Sequence, residues 1–136
     1  MYTSEIDEKH FRVVTTWGPV VTDAALMAYQ KSVWSDPAVR GFDELIDFHA
    51  LKEVEVTTEG LEAVAHAAAA MDDPNEQSRF AIVILDSLSF GLSRMYEAFR
   101  EMHAKSSCHI MIFEDLDAAM AWLDEGRGIR KSPESM

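Results

Sequence analysis

The chain is short of the residues that build specialised frameworks. It has one cysteine, Cys108, which excludes an internal disulfide and any cysteine-rich zinc or iron–sulfur site. Only 6 glycines and 4 prolines occur in 136 residues, so the sequence is neither fibrous nor low-complexity. Positive charge is scarce: 12 Lys and Arg stand against 24 Asp and Glu, a formal net charge of -12. A field of that sign repels nucleic-acid phosphates and anionic membrane surfaces, so no nucleic-acid partner is expected. No apolar run approaches the roughly 18 residues that cross a bilayer, which argues against stable membrane insertion. The first ten residues are polar and acidic (Glu5, Asp7, Glu8) and lack the basic start and apolar run of a secretory signal. With a single thiol, the expected setting is reducing and cytoplasmic.

What remains is the composition of a globular domain, with 48% hydrophobic and 26% charged residues. The length suits one domain, read as residues 1–126, followed by a flexible C-terminal tail at 127–136 that holds three basic groups, two serines and a proline.

Apolar periodicity divides the domain. Phe11 to Trp17 reads as a strand, with Met1 to Ile6 a weaker one pairing antiparallel to it, and Gly18-Pro19 ends the run. Thr22 can cap a helix over roughly 23 to 34, where Leu26, Tyr29, Val33 and Trp34 share a face. Glu44 to Leu51 reads as a strand, and Leu61, Val64, Ala65 and Ala68 mark a helix after Thr58. Phe80 to Leu85 is apolar without alternation, as in a central strand covered on both faces. Leu92, Met95, Tyr96, Phe99 and Met102 form the stripe of a third helix and are read as core. Cys108 to Phe113 is a strand, and Leu116, Ala119, Met120 and Leu123 mark a last helix closed by Gly126 as C-cap. This order implies an α/β fold with a mixed, mostly parallel sheet of four to five strands.

Two motifs in the second half carry a family resemblance. Gly91, Leu92, Arg94, Met95 and Tyr96 follow the strand at Phe80. Phe113, Asp115, Ala119, Trp122 and Leu123 close the domain. Both resemble motifs of the bacterial SpoIIAA-like proteins, also described as STAS/SEC14-type domains. The resemblance runs from about Phe11 to Leu123 and implies helices packed mainly on one face of the sheet. Anti-sigma-factor antagonists of this kind carry a phosphorylated serine in an Asp-Ser-Ser-Gly-Leu turn. Val56-Thr-Thr-Glu-Gly-Leu lies over that turn here, which makes Thr58 a possible phosphoacceptor, although Glu59 departs from the pattern. SEC14-type relatives hold lipids in an apolar cleft.

Several clusters can carry chemistry. Asp86, Ser87, Ser89 and Gly91 sit where the central strand opens into a helix, with Arg94 one turn on. That edge of an α/β sheet, with free N–H groups at a helix start, suits an anionic ligand. The simpler reading makes Ser89 an N-cap and pairs Asp86 with Arg94. Asp47 and His49, two apart on one strand face, can form a general-base pair or two metal ligands, or just a satisfied polar pair. Their half-polar face also points to a sheet face less completely covered, where a dimer partner or ligand could sit. The five histidines form no His-x-x-x-His pair, and no catalytic residue, metal or cofactor is assigned. Cys108 reads as a buried, inert thiol. The expectation is a non-enzymatic domain acting through a protein partner or a second copy of itself. The alternatives are a carrier of a small apolar or lipid-like ligand, and an enzyme working at the Asp86–Arg94 edge or at Asp47/His49.

Overall fold

A computed structural model describes residues 2–72, 75–103 and 107–131 of the chain. Among the described residues the protein is an α/β fold with a five-stranded mixed sheet, a small second sheet and four helices. β1 (Tyr2–Asp7) and β2 (Arg12–Trp17) form the antiparallel hairpin expected from the sequence. β3 (Val20–Thr22) leads into α1 (Asp23–Val33), whose N-cap Thr22 accepts from the Ala25 N–H. β4 (Asp43–Asp47), β5 (Glu53–Glu55) and α2 (Thr58–Met71) follow. Then come β6 (Arg79–Val83), α3 (Ser87–Glu101), β7 (His109–Phe113) and α4 (Leu116–Lys131).

The large sheet has the order β1-β2-β4-β6-β7. Only β1–β2 is antiparallel; β2–β4, β4–β6 and β6–β7 are parallel. β3 and β5 pair parallel to each other in a separate two-stranded sheet. At three residues each, they are too short to show a period of two in the sequence.

Alternation along β4 and β6 feeds two cores. Ile46, Phe80 and Ile82 point into the larger one with Trp17, Leu26, Tyr29, Leu61, Val64 and Leu92, so α1, α2 and α3 share that face. Leu45, Ala81 and Val83 point to the opposite face and meet Ala119 and Leu123 of α4. β6 is thus buried on both sides, as its unbroken apolar run required.

Four details differ from the sequence reading. β4 stops at Asp47, so Leu51 is released from the strand's alternation and joins the α1–α3 core. On α3 the buried side runs through Ser89, Leu92, Ser93 and Arg100. Met95 and Met102, read as core, are 40% and 72% exposed. Two small serines, rather than the methionines, let α3 close on its neighbours. Gly126 does not cap α4. It is buried within the helix, and a side chain there would collide with Arg79.

α4 therefore continues to Lys131, into the stretch read as tail, and residues 132–136 lie outside the described residues. Arginines fasten it. Arg12 of β2, almost fully buried, bonds Asp124, and Arg127 of α4 reaches the buried Asp43 at 3.6 Å. Arg79 lies 4.8 Å over the Trp122 ring and donates to the Trp122 carbonyl at 2.9 Å.

The two kinds of position separate in stability. Leu123→Ala, which empties the fully buried centre of the α4 face, is expected to cost about 3 kcal/mol in urea denaturation. Met102→Ala is expected to stay within about 0.5 kcal/mol of the parent.

Candidate functional site

The C-terminal ends of β4, β6 and β7 open on a cleft of about 970 Å³. His49, Asp86, Ser87 and Arg94 all line it, together with Phe90, Glu97 and Met111. The structure thus brings members of the two separately predicted clusters to one cleft, while Asp47, Ser89 and Gly91 do not line it.

Their local geometry is mostly structural. Asp47 ends β4, and its Oδ1 accepts both the His49 backbone N–H at 2.9 Å and the His49 ring Nδ1 at 2.7 Å. The pair closes the turn after the strand. Asp86, rather than Ser89, is the N-cap of α3. Its Oδ1 accepts from Ser89 N at 3.0 Å, and the Ser89 hydroxyl accepts from Leu85 N and Asp86 N in return. This reciprocal box holds Ser89 fully buried and draws the Asp86 carboxyl below its ordinary pKa, chiefly through the Ser89 backbone bond. Asp86 does not pair with Arg94, which bonds Glu97 at 3.1 Å instead. A carboxylate already occupies the start of α3, so the site is ill suited to a second anion. Gly91 is exposed, with no atom within 4 Å of the place a Cβ would take.

Thr57, not Thr58, caps α2, accepting from Gly60 N at 3.0 Å while its hydroxyl donates to Asp23 at 2.6 Å. Thr58 is the exposed first residue of the helix. Gly60 is needed because a side chain there would run into the Asp23 carboxylate.

The cleft runs into the free edge of the sheet. Among the described residues β7 has β6 on one side and no strand on the other. His109 N donates to Ser78 O and Phe113 O accepts from Ile84 N. His109, Met111 and Phe113 therefore turn their backbone groups toward β6, and Ile110 and Ile112 turn theirs outward. Large apolar side chains are exposed around this edge: Met111 at 46%, Phe90 at 45% and Leu85 at 50%. Among the described residues no three His, Cys, Asp or Glu side chains gather as metal ligands.

Comparison with family models, curated proteins and solved structures returns no match.

A second polar cluster lies at the opposite, N-terminal edge of the parallel strands, and the sequence reading missed it. Tyr29 donates to Glu44 Oε2 at 2.7 Å and accepts from Thr15 at 2.9 Å and from the Trp34 indole at 3.1 Å. Arg100 reaches both Asp72 oxygens at 2.9 and 2.8 Å and donates to Tyr96 at 2.8 Å. Glu44 and Arg100 both line a cleft of about 300 Å³, with Trp34 and Cys108 in its wall. Burial pushes the Glu44 carboxyl up to about 7, against the pull of the Tyr29 bond. Burial also pushes the Cys108 thiol up to about 12, which keeps it protonated and unreactive. No sequence spacing links Tyr29, Glu44, Asp72 and Arg100, which meet only when α1, α2 and α3 close over β4. The one hint was a glutamate in an otherwise core-forming strand.

Glu44 makes stability depend on pH. Its folded-state pKa lies above the ordinary value of 4.5, so the folded state holds the proton more tightly. Its contribution is complete below 4.5 and is lost as pH rises through about 7. Urea denaturation of the parent should show a loss of at most about 3 kcal/mol between these limits. Glu44→Gln should flatten that loss; an unchanged slope would assign it to another group.

Phosphate offers a second check. Titration should leave the amide chemical shifts of Ser87 to Ser89 unmoved, because Asp86 holds that helix start. Saturable shifts there would restore the anion site.

Proposed function

We propose that this chain is a non-enzymatic α/β module that works in the cytoplasm by docking a protein partner along the β7 edge. The observation that carries the reading is the free strand itself, with outward backbone groups at Ile110 and Ile112 and exposed Leu85, Phe90 and Met111 beside it. An unpaired edge is a template for an added strand, and apolar side chains around it supply the area that holds one. The SpoIIAA-like resemblance points the same way, since its better-known members act through protein partners.

The two alternatives are less well supported. A lipid-like cargo needs an enclosed apolar cavity of a few hundred cubic ångströms. The void inside the α1–α3 core holds about 40 Å³, room for little more than a water molecule. An enzyme at the Asp86–Arg94 edge needs acid and base groups poised to transfer protons. Asp86 is instead pulled further toward its charged form as a cap, and Asp47 is spent on the His49 turn.

Photo-crosslinking in cells tests the docking reading. A photoreactive side chain at Leu85 or Phe90 should give one discrete adduct that Met111→Asp abolishes. The same probe at Lys9, on the hairpin turn after β1, should give none. Absence of an adduct at Leu85 and Phe90, or equal labelling from Lys9, would refute it.

A further inference from the structure

We infer that the occupant of the β7 edge is a second copy of this chain, paired antiparallel through β7 about a two-fold axis at Met111; this rests on the docking reading above. The two edges of the large sheet differ. β1 carries Glu5 and Asp7 along its length, and charge protects an edge from pairing. β7 reads His-Ile-Met-Ile-Phe, with no carboxylate, lysine or proline. Such a strand can lie against its own copy without setting like charges opposite one another.

The backbone allows the match. Two β7 strands centred on Met111 overlap over their full length. Ile110 of one copy then faces Ile112 of the other, and these are the residues whose N–H and C=O groups point outward. Both Ile110–Ile112 pairs become hydrogen-bonded, and Met111 meets Met111 at a non-hydrogen-bonded position between them. The result is one sheet continuous across both copies, with the same patch used twice, as a two-fold interface requires.

Charge on the flanking helix is also self-complementary. Arg94 and Glu97 of α3 line the cleft beside Ile110, Met111 and Ile112. Around the proposed axis α3 lies antiparallel to its copy, so Arg94 of each chain comes opposite Glu97 of the other. The Arg94 side chain is 63% exposed and can exchange its contact within the helix for one across the interface. The net charge of -12 opposes association, but salt screens it beyond about 8 Å.

Disulfide trapping decides the register. In a Cys108→Ser background, Met111→Cys should form a covalent dimer under mild oxidation. Facing Cα atoms at a non-hydrogen-bonded pair lie about 4.5 Å apart, within disulfide reach. His109→Cys, which would face Phe113, should not. By sedimentation the wild type should be a dimer at micromolar concentration. Met111→Asp, with two carboxylates at the axis, should raise its Kd about tenfold or more while its circular dichroism stays that of the parent. A monomeric wild type, or Met111→Cys linking no faster than His109→Cys, overturns the inference. The photo-adduct separates the two levels of the argument. An adduct of twice the chain's mass supports self-pairing. An adduct with another protein beside a monomeric wild type removes the second copy and leaves the docking reading. No adduct at all removes both.

Discussion

The structure depends on burying one strand from both sides. Phe80 and Ile82 of β6 face α1–α3, and Ala81 and Val83 face α4. A strand that is apolar on both faces cannot lie at a solvent-washed edge, so the chain must supply cover twice. It covers one face with three helices and the other with α4 alone. A helix is roughly 10 Å across and each strand adds about 4.8 Å, so a single helix spans about two strands. α4 packs on Leu45, Ala81 and Val83 at the centre. The flank of that face is left open, and Met111 on β7 is exposed as a consequence. That open flank lies beside the bare β7 edge.

Polar groups hold this arrangement in register. α4 has few large apolar side chains, and arginines supplement them. Arg12, Arg79 and Arg127 each bind α4 to the sheet through a carboxylate, a carbonyl or a ring. Breaking such a buried pair leaves a charge without a partner, so these contacts fix position as much as they add stability. The opposite face has its own polar centre, where Tyr29, Glu44 and Arg100 meet between the three helices and the strand ends. Arg100 and Cys108 of that centre line one pocket with Ile110 and Met111, so it adjoins the start of β7.

Much of this was legible from the chain. Alternation and unbroken apolar runs gave the large sheet's strands, and spacing at three and four gave the helices. Asp86 to Arg94 and Asp47/His49 stood out as polar residues at strand ends, and His49, Asp86, Ser87 and Arg94 line one cleft. Their partners were not legible. Capping could be read at Asp86-Ser87-Leu88-Ser89, but a capping box uses two side chains at once, and one-dimensional spacing could not say that the aspartate is the cap. Met95 and Met102 fit a helical period, yet the period does not say which face turns inward when serines on the neighbouring face pack more closely.

The sequence by itself determined the class of fold, the central place of the Phe80 strand and the ends of most elements. Those follow from local propensity and from the free energy of removing apolar side chains from water, both of which act along the chain. Tertiary structure decided the rest. It put β1 and β7 at the edges of the large sheet, carried α4 past Gly126 by giving Arg127 the buried Asp43, and joined Glu44 to Tyr29 across separate elements. Each of these depends on groups far apart in sequence meeting in a closed space, where burial changes what a charge or an unpaired backbone group costs.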